Sequence, residues 1–197
     1  MLANSKVGAE VAPAAVIEVA ERLQLEGLSR LEVDPEAALV VLRQAFLLER
    51  QFGNDNARLC AACSSLCRAL LHVPSGLSEA VTPLLQTLET LETRCASPAS
   101  PAPQPMRDEH RDFVARELLG LARKLTGEGT ARLDELRAAD RAFERLAQLA
   151  KVQPLCLYVA GDKEVVLTQE EVRGYERTWT RARSAPKRAA ELSARLS

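Results

Sequence analysis

VIEVAERLQLEGLSRLEVDPEAALVVLRQAFLLER (residues 16–50) and RLCAACSSLCRALLHVPSGLSEAVTPLLQTLETLE (residues 58–92) decide the reading of this chain, because they align at an offset of 42 residues. Gly27 falls on Ala69, Leu28 on Leu70 and Leu31 on Val73. Further along, Ala38 falls on Ala80, Leu39 on Val81, Leu42 on Leu84 and Phe46 on Leu88. Small residues recur where two helix backbones would approach, and bulky apolar ones recur where a core would be filled. The interval from Gly27 to Ala38 is repeated from Ala69 to Ala80. A third copy is expected at Gly120 and Ala131, with Leu121 in the place of Leu28 and Ala138 in that of Ala45. It is weakened by Glu135, which stands where Leu42 and Leu84 stand.

Local signals divide each copy into two helices. Val16, Ala20, Leu23, Gly27 and Leu31 step by three and four residues, which predicts a helix over about 14–32 with Pro13 in or before its first turn. Leu25 stands among the polar residues of that helix. In Asp34-Pro35-Glu36, a capping aspartate precedes a proline at the first helical position and an acid in the first turn, a helix start. That helix is expected to reach Gln51, with Leu39, Leu42, Phe46 and Leu47 in the core and a left-handed Gly53 closing it. Asn54-Asp55-Asn56 opens the next helix, whose stripe is Leu59, Cys63, Leu66, Leu70 and Val73. After Pro74-Ser75-Gly76, a helix is expected from Thr82 with Pro83 at its first position, or from Ser78 with a turn distorted at Pro83.

The pattern resembles the tetratricopeptide repeat over residues 16–92. The resemblance rests on the small residue of the first helix and on EAALVVLRQAF, with Ala38, Leu42 and Ala45. The long period and the junction LLERQFGNDNARL are similar to the kinesin light chain variety. The chain departs from that pattern by lacking the usual aromatic of the first helix, by Thr87 at the counterpart of Ala45, and by Pro83. The resemblance implies stacked antiparallel helical hairpins whose first helices line a concave groove. The groove residues would be Arg22, Ser29, Arg58, Ser65, Arg68 and His72, holding an extended peptide or a helix of a protein partner. The function so implied is a non-catalytic protein–protein interaction scaffold or adaptor. The alternatives are a structural subunit of a large cytoskeletal or axonemal assembly, and a helical nucleic-acid-binding protein.

The fold class expected is mostly all-α. Residues 1–94 would hold two helical hairpins. Residues 95–107, with SPASPAPQP at 97–105, would be a linker. Residues 108–197 would form a helical region, with helices over 108–126 and 130–151. LCLYV and KEVVLT alternate around Gly161-Asp162, the pattern of a small β-hairpin near 155–167. Thr168 and Glu171 make a capping box for a following helix, and a short basic helix is expected over 187–196.

Composition narrows the function. A 47% apolar but only 4% aromatic chain has a core of Leu, Val and Ala, suited to helix-on-helix packing. The net charge of −1 provides no global field for nucleic acid. The basic excess lies in a C-terminal tail: Arg173, Arg177, Arg181, Arg183, Lys187 and Arg188 read as a solvated face, with an acidic protein partner, RNA or the acidic N-terminal half of the chain as alternatives. Cys60, Cys63 and Cys67 read as small core residues, with a metal site or redox reactivity as alternatives. Two histidines without a flanking catalytic signature, and Gly127-Glu128-Gly129 without a Gly-Lys-Ser/Thr sequence, provide no enzyme motif. No cofactor is implied. With no apolar run near the ~20 residues of a membrane span and no basic-then-apolar leader, a cytoplasmic location without membrane contact is expected, with cytoskeletal association as a further alternative.

Overall fold

Two aspartates set the helix boundaries. Asp34 Oδ1 accepts the amide of Ala37 at 3.0 Å, with Pro35 at the first helical position. Asp55 Oδ1 accepts those of Ala57 and Arg58 at 2.8 and 3.4 Å. Each cap satisfies amides that a helix start would otherwise leave bare. The computed structural model describes residues 11–96, 108–127, 133–152, 155–159 and 163–168, together with Glu170 and Gly174. Its helices are α1 (Val11–Arg30), α2 (Pro35–Phe52), α3 (Asn56–Leu70), α4 (Gly76–Glu79), α5 (Val81–Ala96), α6 (Asp108–Gly127) and α7 (Leu133–Val152). The strands β1 (Leu155–Val159) and β2 (Lys163–Leu167) pair antiparallel, Leu155 opposite Leu167 and Val159 opposite Lys163. The protein is therefore mostly helical, with one small hairpin of strands.

The chain divides into two compact units, Met1–Val114 and Ala115–Ser197. The division falls inside α6, beyond the Pro/Ser-rich stretch at which the sequence changes character. In the first unit α2 packs on both α1 and α3, α3 packs on α5, and α1 touches α3 directly. Consecutive helices joined by short turns run antiparallel, so α1/α2 and α3/α5 are successive hairpins laid side by side. Positions 42 residues apart share their burial: Ala38 and Ala80, Leu42 and Leu84, and Phe46 and Leu88 are all at most 2% exposed. Leu31 is buried while its counterpart Val73 is half-buried.

Gly27 explains why a small residue is needed in α1. It is buried, and a Cβ added there would overlap Cγ of Leu42 and lie 2.7 Å from its Cδ2. The absent side chain is the space that Leu42 fills, which brings α1 and α2 into close contact. Gly53 acts differently from the expected left-handed terminator. Its φ of −68° and ψ of 150° are extended. Its amide closes α2 on the Glu49 carbonyl at 3.0 Å, and a Cβ there would press on the Glu49 carboxylate. Gly53 is thus required by close approach rather than by handedness.

The second hairpin is interrupted where the sequence has proline. Pro83 has no amide hydrogen to give to the carbonyl four residues back. A single turn, α4, precedes Ala80, and α5 begins at Val81, so Pro83 is the third residue of that helix and not the first. Thr87, at the counterpart of Ala45, is fully buried, and its hydroxyl donates to the Pro83 carbonyl at 2.8 Å. That bond keeps the extra polar atom from being buried bare. α1 also begins earlier than expected, at Val11, with Pro13 still inside the first turn, where an amide hydrogen would find no intrahelical acceptor.

In the second unit, α7 turns Ala138, Ala142, Phe143, Leu146 and Leu149 inward and exposes Asp134, Arg137, Arg141 and Glu144, an amphipathic stripe at helical period. The proposed third copy fails at its key position. Gly120 is exposed, and a Cβ there would have nothing within 4 Å among the described residues. Gly120 therefore does not mark a close helix crossing as Gly27 does. Ala131, the other marker of that copy, lies outside the described residues, as do the expected helix behind Thr168 and the short basic helix.

Candidate interaction surface

The α1–α3 seam fixes which side chains can meet a partner. Gln24 Nε2 donates to Ser65 Oγ across it at 3.1 Å, and Ser65 in turn donates to the Ala61 carbonyl at 2.9 Å. Successive helical residues turn about 100° around the axis. From the seam, Arg22, Leu25 and Ser29 therefore come round to the side of α1 away from α2. Ala61 and Arg68 come round to the same side of α3, and His72 follows in the turn just past its end. All six are exposed, and Leu25 is exposed to 70%. Of the six groove residues read from sequence, the structure brings Arg22, Ser29 and Arg68 onto one face, and His72 is exposed just past the end of α3.

It places the other two inside the seam. Ser65 is buried at 7% exposure. Arg58 is half-buried, and its guanidinium ties three helices together. Nε and Nη2 donate to Oε1 of Glu49 on α2 at 3.1 and 2.9 Å, Nη1 pairs with Glu21 on α1 at 2.6 Å, and Nη2 also donates to the Ile17 carbonyl at 3.3 Å. Arg94, on α5, closes the far side of the same junction. Its guanidinium donates to the carbonyls of Glu49 (3.0 Å) and Gly53 (2.7 Å) and to Oδ1 of Asn56 (3.1 Å), tying down the α2–α3 turn. The basic-tail residues Arg173, Arg177, Arg181, Arg183, Lys187 and Arg188 lie outside the described residues.

The electrostatics of the exposed face are uneven. Residues 11–96 contain seven arginines and no lysine. Arg30 pairs with Glu26 (2.5 Å), Arg43 with Glu79 (2.7 Å) and Arg50 with Glu89 (3.4 Å), while Arg58 and Arg94 are held as described. Arg22 and Arg68 make no ion pair or hydrogen bond among the described residues, and both stand on the α1/α3 face. Glu18, one turn before Arg22, shares that face and is likewise unpaired among the described residues.

Cys60, Cys63 and Cys67 are free thiols buried in α3. The Cys67 thiol donates to the Ala80 carbonyl at 3.6 Å. Burial pushes the Cys60 thiol up to about 12, with Cys63 adding to the shift and Arg94 opposing it. At pH 8 the Cys60 thiolate is therefore far scarcer than that of a free cysteine. Alkylation by iodoacetamide at pH 8 is expected to leave Cys60, Cys63 and Cys67 unmodified in the folded protein and to modify all three in denaturant, read by peptide mass spectrometry. Rapid native labelling of Cys60 would contradict its placement. Among the described residues no group of three or more His, Cys, Asp or Glu side chains is arranged to hold a metal ion.

A second surface feature lies between α2 and α5. Leu47, expected in the core beside Phe46, is 53% exposed. It stands at the lip of a cleft of about 280 Å³ between α2 and α5, whose apolar lining is Phe46, Leu66, Leu70 and Pro83. The cleft continues past Leu47 into an opening of about 430 Å³ between Arg50 and Gln51 of α2 and Glu89, Thr90 and Thr93 of α5. The wide apolar run in α2 provides no signal for this, because one helix's periodicity does not tell which flank lacks a neighbour.

Among the described residues no helix is long and apolar enough to cross a membrane. Comparison of the chain with models of protein families, with curated proteins and with solved structures finds no match in any of the three.

Proposed function

We propose that this chain is a non-catalytic protein–protein interaction scaffold, a tetratricopeptide-like stack that presents the α1/α3 face to a protein partner. The observation that carries the reading is the pair Arg22 and Arg68. These are the two arginines of residues 11–96 without an internal partner among the described residues, and they stand on one face with the exposed Leu25. Exposed apolar surface beside uncommitted charge is the composition of a recognition patch rather than of a solvated helix back. Five of the seven arginines in the same region are engaged internally, so the sequence does not leave arginines idle at random.

The test replaces Leu25 with a photo-crosslinking phenylalanine analogue in the native cell and identifies what it captures. The expected result is a defined protein partner whose capture falls at least tenfold in the Arg22→Glu/Arg68→Glu variant. The same partner should still be captured when the exposed Arg141 on α7 is reversed instead. Both arginines are exposed, so the fold should survive their reversal within about 0.5 kcal/mol, checked by thermal melting. Equal capture by the wild type and the α1/α3 variant would remove this face from the account.

A further inference from the structure

The cleft between α2 and α5 has two walls of opposite charge. Arg43 and Arg50 project from α2, two turns apart, with Leu47 between them. Glu79, at the end of α4, and Glu89, on α5, stand on the other wall. Exposed Val40 (56%) extends the apolar line of Leu47 one further turn pair along α2. The other charges near this face are Glu36, which precedes the cleft at the start of α2, and Glu92, three residues beyond Glu89 on α5. The two walls already neutralise each other across the cleft ends, through Arg43–Glu79 and Arg50–Glu89. An occupant of single charge sign would have to break those pairs. An occupant carrying both signs in the opposite order would extend them.

We propose that this face binds a second copy of the same chain. A two-fold axis running along the cleft sets the arginine wall of one copy over the glutamate wall of the other, and does so twice. It brings the Leu47 side chains, each at a cleft lip, into the shared apolar interior. Such an isologous contact needs one patch that complements itself, and a basic wall, an apolar trough and an acidic wall meet that condition under this axis. The net charge of −1 offers little long-range repulsion between copies. The 18 residues of α2 run about 27 Å, and α5 beside it makes the face roughly 20 Å wide. Two such faces cover on the order of 1,000 Å², the lower edge of specific dimers, so micromolar self-association is the expected strength. This contact uses the opposite side of the hairpins from the α1/α3 face, and neither depends on the other.

The experiment is analytical ultracentrifugation of the full chain up to about 0.5 mM, a concentration that would populate a micromolar dimer. Two charge variants are compared: Arg43→Glu/Arg50→Glu, with both walls acidic, and Glu79→Arg/Glu89→Arg, with both walls basic. The wild type should sediment as a monomer–dimer equilibrium and each variant alone as a monomer. An equimolar mixture of the two variants should recover the dimer. Rescue by mixing separates this contact from loss of the internal ion pairs, which mixing cannot restore. Leu47→Glu, at an exposed site, should weaken the dimer at least tenfold without changing the melt. A wild type that stays monomeric, variants that dimerise alone, or folded variants whose mixture stays monomeric would each overturn the proposal. A loss of partner capture at Leu25 would leave this result untouched, and the reverse holds as well.

Discussion

Replacing Gly27 with alanine is expected to destabilise the protein, whereas the same replacement at Gly120 should stabilise it. Both glycines lie inside helices, so each alanine brings the same intrinsic gain of about 1 kcal/mol in helix propensity. At Gly120 nothing among the described residues stands within 4 Å of the added Cβ, and the gain appears in full. At Gly27 the Cβ would overlap Cγ of Leu42, the branch point of a side chain with no exposure to solvent. Overpacking of this kind costs about 1–3 kcal/mol, enough to offset the propensity gain and reverse the sign. Gly27→Val, with two further methyl groups and a β-branch, should cost about 3 kcal/mol or more. For a chain of this size each kcal/mol moves the melting temperature by about 2–4 °C. Leu42→Ala on its own should cost about 2–5 kcal/mol. The double variant Gly27→Ala/Leu42→Ala should lose less than the sum of its parts, because the alanine methyl then occupies space that Leu42 has vacated. Denaturant melts of the wild type and these five variants check this. A Gly27→Ala protein as stabilised as Gly120→Ala would mean that α1 and α2 do not meet at this point.

That contrast also marks how far the sequence could be read. The offset of 42 residues was legible because each hairpin repeats its own small and bulky positions, and such a pattern lies within a few turns of chain. Gly27 with Ala38 and Gly120 with Ala131 have equal spacing, yet only Gly27 faces a leucine across a helix crossing. Spacing alone carries no information about what lies opposite. The groove residues show the same limit. Arg22 and Arg58 both lie outside the apolar stripe of their helices, and a helical wheel treats them alike. In the fold α3 has neighbours in α1, α2 and α5, so it is buried over a wider sector than its stripe suggests, and Arg58 and Ser65 fall within it. α1 has fewer neighbours, and Arg22 stays outside. Leu47 is the converse case, an apolar residue on a flank of α2 where no helix of the same hairpin lies.

Arg58→Ala is expected to be among the most damaging single replacements of a charged residue in the first unit, at about 3 kcal/mol. The reason lies in its partner. Glu49 has a side chain only 3% exposed, and its Oε1 takes both the Nε and Nη2 bonds of Arg58. Its Oε2 has no hydrogen bond. Removing the guanidinium strands a buried carboxylate, the change that makes broken buried pairs costly, typically about 3–5 kcal/mol. Arg58 is 30% exposed, so water can reach part of the gap, and the lower end of that range applies. Arg94 sits close by but directs its donors to backbone carbonyls of the α2–α3 turn, and turning one to the carboxylate would free those carbonyls. If the stranded charge is the cause, Glu49→Gln in the Arg58→Ala background should recover at least about 1 kcal/mol, since a neutral amide is far cheaper to bury. Replacing the whole pair, as Glu49→Leu/Arg58→Met, should cost less than Arg58→Ala alone. Arg43→Ala, at an exposed ion pair, serves as the reference and should change stability by less than about 0.5 kcal/mol. Equal melts for Arg58→Ala and Arg43→Ala would show that Arg58 does not hold the three helices. It follows that reversing Arg58 cannot report on a binding surface, since any loss of partner would accompany loss of the α1–α2–α3 junction. Arg22 and Arg68, with no internal partner to strand among the described residues, separate binding from folding.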